Sequence, residues 1–230
     1  NVANTVGAEI NEFTVTIEKL SKGGSGLARL DGFVLFVPLS AVGDKLKVRL
    51  VEKKKNHGFA EIIEVLNPGL SRIQPRCPVY GQCGGCNWQH LSEQEQLRQK
   101  ELVVREQLAT VSDEGTTWFP ILASPHNWRY RNRIQLKYQK PHLGFYRRGS
   151  HDIVPIDDCL VVEDQIAAQI GTLRERLTSS FDRMDKIEIF TSVDNDSKEC
   201  IEVRFDKDPL KKAAFSQVNR FVNELLVTKV

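Results

Sequence analysis

No stretch of this 230-residue chain is apolar for long. Its longer apolar runs, such as Phe33 to Leu39, fall far short of the roughly 20 residues that span a bilayer. No charged, then apolar, then small-residue leader opens it, so no signal peptide is expected. An excess of one charge is also lacking. Lys plus Arg number 32 against 30 Asp plus Glu, a formal charge of +2, so only the distribution of charge can point to nucleic acid. With 40% hydrophobic and 27% charged residues, the composition excludes a disordered, collagen-like or coiled-coil chain. There is no internal repeat or low-complexity segment, and the length allows one or two domains with cores of their own. Cysteine is sparse and odd in number: Cys77, Cys83, Cys86, Cys159 and Cys200. Three of them crowd together and no leader precedes them, which suits a metal site in a reducing, cytoplasmic compartment better than a secreted disulfide framework.

What is present reads first as short strands. Residues 1–12 are polar and are expected to form a loose tail. Phe13, Val15 and Ile17 alternate with polar residues, Phe33 to Val37 is a continuous apolar run ended by Pro38, and Leu46, Val48 and Leu50 alternate with basic residues. Phe59 to Leu66 is a further strand, stopped by Asn67-Pro68-Gly69. This region, 13–66, predicts a small antiparallel barrel of the oligonucleotide-binding type, with a sandwich fragment as the alternative. Beyond it, Ser92 and Glu95 form a capping box that opens a helix with Leu97, Val104, Leu108 and Val111 on one face. Strands are expected over residues 128–138, 144–146, 152–156, 186–193 and 199–205, a helix over 163–180, and a last helix from Asn219. Strands and helices in this order give α+β architecture.

The sharpest feature is Cys77-x5-Cys83-x2-Cys86. Two cysteines separated by two residues can aim their sulfurs at one ion, and Gly84 and Gly85 allow the tight backbone this needs. A four-thiolate site needs a fourth donor, for which Cys159 and Cys200 are the candidates. Spacing does not separate zinc from a 4Fe–4S cluster. The second feature is an absence: no Asp or Glu occurs from Gly115 to His151. That stretch holds Arg129, Arg131, Arg133, Lys137, Arg147 and Arg148, with Trp128, Tyr130, Tyr138, Phe145 and Tyr146 among them. A strand would put Arg129, Arg131, Arg133 and Lys137 on one face, where they could hold phosphates while aromatics stack unpaired bases. Single-stranded or looped RNA fits better than duplex DNA, since no helix is basic enough to read a groove. A solvated basic surface is the plainer reading. Lys53 and Lys54, in Lys53-Lys54-Lys55, add a second, weaker basic element that could equally guard a sheet edge.

Taken together, these segments resemble the RNA uracil-5-methyltransferases, in particular the bacterial iron–sulfur branch acting on 23S ribosomal RNA. Lys22-Gly23-Gly24-Ser25-Gly26 and Val34-Leu35-Phe36-Val37-Pro38 resemble the family's TRAM domain, and Cys77 to Cys86 with Trp88-Gln89-His90 its cluster motif. Tyr130-Arg131-Asn132-Arg133 and Leu143-Gly144-Phe145-Tyr146 resemble its central RNA-binding sheet. Ser150 to Val154 leading to Cys159 resembles the stretch with the fourth ligand, and Phe215-Ser216-Gln217-Val218-Asn219 the element before the catalytic domain. The resemblance implies a 4Fe–4S cluster on Cys77, Cys83, Cys86 and Cys159, with a structural role. It implies an iron–sulfur and central RNA-binding domain over residues 67–220, and a linker helix beginning over 221–230. RNA is the implied partner, with no membrane or protein partner.

In that family a cysteine adds to carbon 6 of uracil and the methyl group of S-adenosylmethionine passes to carbon 5, in a Rossmann-like domain. The target base must first leave its stack. Here the chain ends at Val230, about where that domain is expected. No Gly-rich turn follows a strand, and no spare cysteine has a catalytic setting. The implied fold class is therefore α+β with the Rossmann-like catalytic domain absent, and the chain by itself is expected to be inactive. No catalytic residue is assigned, and only Gln217 is carried over towards the cofactor. The alternative is a stand-alone RNA-binding module with a structural or redox-sensing 4Fe–4S or zinc site.

Overall fold

A computed structural model of the chain describes residues 11–193, 196, 198–205 and 217–228. They divide into two compact units that interleave along the chain. One takes the residues up to Pro75 and then Asn87–Trp118; the other takes Arg76–Cys86 and then the residues from Phe119 onward.

The first unit is built on strands β1 (Glu12–Thr16), β2 (Lys19–Leu20), β3 (Gly26–Leu30), β4 (Phe33–Val37), β5 (Lys45–Lys53) and β6 (His57–Asn67). They form one six-stranded sheet in the order β1-β5-β6-β4-β3-β2. The expectation of an antiparallel sheet needs one correction: β4 pairs with β6 in parallel. The sheet curls around Val15, Ile17, Ala28, Leu35, Val37, Leu46, Val48 and Ala60. Three register shifts between β5 and β6 bend the sheet there. The expected polar tail is also too long, because Glu12 already pairs with Arg49 in β1; residues 1–10 lie outside the described ones.

Helix α1 (Glu93–Leu108) follows, capped by Ser92, whose Oγ accepts from the Glu95 amide at 3.4 Å. Its expected apolar face is not the buried one. Val104, Leu108 and Val111 are exposed, and Gln99 is the buried residue, donating to Glu95 Oε1 at 2.7 Å. Polar contacts, invisible to a periodicity argument, tie residues 67–75 and 87–92 into this unit and move the compact boundary past residue 66. Asp44, with no exposed side-chain surface, accepts from the amides of Ala41 (2.6 Å) and Gly69 (2.9 Å) and from Arg72 Nη2 (2.6 Å). Burial by itself would raise the Asp44 carboxyl, but Arg72 and these two amides together hold it below the usual carboxylate value. Trp88 Nε1 donates to the Gly24 carbonyl at 3.1 Å, and Gly24 sits at φ +84°, where a Cβ would come within 2.7 Å of that nitrogen. His90 is buried with Nε2 3.0 Å from the Ser40 carbonyl.

The second unit holds β7 (Arg133–Gln139), β8 (His142–Tyr146), β9 (Ile153–Pro155), α2 (Asp164–Ala167), α3 (Gln169–Ser180), β10 (Arg183–Val193), β11 (Glu199–Phe205) and α4 (Arg220–Val227). Its sheet is antiparallel in the order β11-β10-β7-β8-β9. Ile134, Leu136, Tyr138, Leu143, Ile187 and Ile189 on one face of the sheet pack against Ile166, Ile170, Leu173 and Leu177 of α2 and α3. Gly144 lets β8 and β9 approach closely, since a Cβ there would fall 1.9 Å from the Val154 carbonyl oxygen. The helix expected over 163–180 is two helices meeting at Ala168. The strand expected over 128–138 begins only at Arg133, because Arg129 adopts φ +54° and breaks the extended run. Between the strands expected over 186–193 and 199–205, Asp194-Asn195-Asp196 reads as a polar turn; Asp196 lies in a turn, and Asp194 and Asn195 lie outside the described residues.

Candidate metal and nucleic-acid site

The cysteine segment is laced to the end of β8. Gly84 N–H donates to the Tyr146 carbonyl at 3.0 Å, Arg148 N–H donates to the Gln82 carbonyl at 2.9 Å, and Cys83 bridges Arg147. Gly84 eases this approach, since a Cβ would lie 3.1 Å from that same Tyr146 oxygen, tighter than most such contacts. Arg148 Nη2 donates to the Cys86 carbonyl at 2.8 Å. Cys159 arrives from a separate turn, its amide donating to Asp158 Oδ1 at 2.7 Å.

None of the four cysteines forms a disulfide, and all are half-buried within one unit. Burial raises the Cys83 thiol, and neighbouring Cys86 and Cys77 add to the effect. Burial, with the charges of Cys86, Cys83 and Cys77 adding to it, pushes Cys159 up to about 11. Cys200 stands elsewhere, on β11, its Sγ 3.0 Å from Ser192 Oγ. Among the described residues no group of three or more His, Cys, Asp or Glu side chains is arranged to hold a metal ion. The donor chemistry nonetheless fits a soft centre. Thiols bind a soft cationic centre as thiolates, so such a centre would favour deprotonation of the raised Cys83 and Cys159.

The basic residues divide into two groups. Arg129 grips Asp158 with two hydrogen bonds, Nη2 at 2.6 Å and Nη1 at 2.8 Å, and pairs through Nε with Asp164 at 3.0 Å. Its Nη1 also reaches the carbonyls of Cys159 and Val162. Arg133 pairs with Glu188 at 2.9 Å and lies over the Phe190 ring. Phe145 packs against the core. Lys54 pairs with Glu52. Lys137 instead reaches the Asp185 carbonyl and lies over the Tyr146 ring, whose edge meets His151. Arg147 and Lys53 are exposed and have no carboxylate partner among the described residues.

Arg131 is threaded through the unit: its amide donates to Val161, its carbonyl accepts from Glu163, and it bridges Asn219. Its Nε is buried with no hydrogen-bond partner among the described residues, as is Oδ1 of Asn132. Asn132 holds the approach to α4, its N–H donating to the Val218 carbonyl at 3.0 Å and its Nδ2 to that of Gln217 at 3.4 Å. Gln217 itself is exposed just before the Asn219 cap, while Phe215 and Ser216 lie outside the described residues. Sequence reasoning missed Asp158, Asp164 and Glu188 as the partners of these arginines. The signal for the first was its place directly before Cys159.

Comparison with known proteins bears on this arrangement. Residues 8–63 match the TRAM domain. An uncharacterized RNA methyltransferase of Bdellovibrio bacteriovorus is 37% identical over 223 residues, covering 94% of this chain and 55% of that protein. One of Halalkalibacterium halodurans is 34% identical over 171 residues, covering 71% of this chain and 37% of that protein. The crystal structure of the Pyrococcus abyssi tRNA (uracil-54, C5)-methyltransferase in complex with S-adenosyl-L-homocysteine superposes with a TM-score of 0.58 at 23% identity, covering 86% of this chain and 47% of that one. The chain thus spans between about a third and just over half the length of these proteins. These matches correct the expected fold class. With 94% of the chain aligned to an RNA methyltransferase and 86% superposed on a methyltransferase structure, its fold is that of a methyltransferase chain over most of its length, and the reading of an absent Rossmann-like domain falls. The lack of a Gly-rich turn was a weak basis for it, because such a turn is only one way to hold a nucleotide. No helix among the described residues is long and apolar enough to cross a membrane.

Proposed function

We propose that this chain, which carries a TRAM domain and is homologous to RNA methyltransferases, serves S-adenosylmethionine-dependent methylation of uracil carbon 5 in RNA, with 23S ribosomal RNA as the substrate. The observation that carries the reading is the 37% identity to an RNA methyltransferase over 94% of the chain. The choice of uracil and of ribosomal RNA follows the motif resemblance around Cys77–Cys86 and Tyr130–Arg133.

In this reading the described residues grip and orient RNA. Arg131, Lys137, Arg147 and Lys53 take phosphates, since no carboxylate pairs with them among the described residues. Arg129 and Arg133 are positioning residues, holding the Cys159 turn and the β7–β10 pair through Asp158 and Glu188. Cys77, Cys83, Cys86 and Cys159 would hold a 4Fe–4S cluster, which would supply a structural clamp between the loop on β8 and the Asp158–Cys159 turn. Gln217, exposed before α4, faces the cofactor or the target base. Nucleoside analysis of ribosomal RNA from cells with and without the gene encoding this chain tests the reading. Loss of one 5-methyluridine from 23S ribosomal RNA is the expected result. An unchanged ribosomal profile, or a loss confined to transfer RNA, would overturn it.

A further inference from the structure

The functional reading leaves three aromatic rings on the first unit without a role. Phe36 on β4 and Phe59 on β6 are register partners, and their rings stack with centroids 5.4 Å apart at 26°. His57 stands edge-on to both at 5.6 Å, with interplanar angles of 81° and 82°. Strand alternation fixes their direction. Leu35, Val37 and Ala60 enter the core and Gly58 is buried, so Phe36, His57 and Phe59 project from the outer face. All three are half-buried, and neither phenylalanine belongs to the packed core or its lining. Cross-strand pairing alone would stabilise the sheet here.

The charge beside the rings points to a ligand. The chain enters β6 from Lys53-Lys54-Lys55, all exposed, and Lys54 N–H donates to the His57 carbonyl at 2.8 Å. Glu52, opposite Phe59 on β5, is neutralised by Lys54, and Glu61, further along β6, is paired with Arg49. Lys53 and Lys55 have no ion pair among the described residues. We infer that Phe36, His57 and Phe59 form a stacking platform for one or two unpaired bases of an RNA strand whose phosphates run along Lys53–Lys55. Every base has a π-face, so such a platform selects single strands without selecting sequence. The inference rests on the RNA-binding reading above and specifies where the TRAM domain would engage bases.

The test is equilibrium binding of the full chain to a fluorescein-labelled single-stranded RNA of about ten nucleotides, at several salt concentrations. Phe36→Leu/Phe59→Leu is expected to weaken binding roughly tenfold while leaving the salt slope unchanged, because stacking releases no counterions. Lys53→Gln/Lys55→Gln is expected to make the slope shallower. Phe59→Trp supplies a second readout that needs no loss of packing: its added emission, over that of the three native tryptophans, is quenched by this RNA and not by an abasic strand of equal length. If the native chain binds and the ring variants bind equally, without quenching of Phe59→Trp, the platform is wrong and the RNA-binding reading survives. If the native chain binds no RNA, both fall.

Discussion

Replacing Arg129 and Arg147 by alanine in turn separates two roles for arginine that look alike in sequence. Arg129 is about one-third exposed, and its charge faces Asp158 and Asp164 at 2.6 and 3.0 Å. A cation already matched by two carboxylates releases few counterions when RNA binds. Arg147 is exposed, with no such partner among the described residues. Each phosphate contact to a single strand contributes about 0.7 to the slope of log K against log salt. Losing one contact therefore changes the ratio of affinities between 50 and 200 mM salt by about 2.6-fold. Arg147→Ala is expected to show that change in fluorescence anisotropy titrations, with an unchanged melting temperature. Arg129→Ala is expected to keep the native slope. It should instead cost about 1–2 kcal/mol of stability, allowing for solvent screening of its charged hydrogen bonds, and so lower the melting temperature by roughly 5 °C. If Arg129→Ala flattened the slope as Arg147→Ala does and melted like the native protein, the division of these arginines would be refuted.

Asp44→Ala leaves the part-buried Arg72 without its anion and should cost roughly 3 kcal/mol in denaturant unfolding, with partial rescue by Arg72→Met. Asp44 has a folded pKa below its unfolded one, so its contribution is present above about pH 4 and lost as pH falls through the folded value; Asp44→Asn should therefore flatten the acid limb of the stability curve. Gly144→Ala forces β8 from β9 and should cost about 1–3 kcal/mol by thermal melting, an effect absent if the Val154 carbonyl moves aside freely. Under the proposed cluster, the native chain purified without oxygen is expected to carry iron and Cys83→Ala to lack it and to show a loosened second unit in hydrogen exchange; equal iron content in the two would exclude Cys83 as a ligand.

Where a segment's own residues decide its conformation, the sequence was legible. The run Phe33 to Val37 ended by Pro38 is β4, and the alternation from Glu199 to Phe205 is β11. Ser92 marked the start of α1 but not its inward face, because Gln99 is buried through a hydrogen bond to Glu95 and not through hydrophobicity. Strand β3 was missed because Gly26-Leu27-Ala28-Arg29-Leu30 carries a weak pattern. The Asp31-Gly32 turn, at φ +49° and +84°, was the available signal. At the site, spacing groups Cys77, Cys83 and Cys86 but leaves Cys159 and Cys200 both open as a fourth donor, since spacing says nothing of where a residue distant in sequence lies in the fold. The same limit hid the partners of Arg129 and Arg133, which lie tens of residues away, so a basic stretch free of local acid looked wholly available to RNA when part of it is already paired.

The account depends most directly on whether this chain takes hold of unpaired RNA. Competition between an unstructured single strand and a duplex of equal length, followed by anisotropy with the purified chain at near-physiological salt, measures this. The account predicts that the single strand displaces the duplex and that the native salt slope is steep. Equal affinity for both, a preference for the duplex, or no binding to either would contradict it.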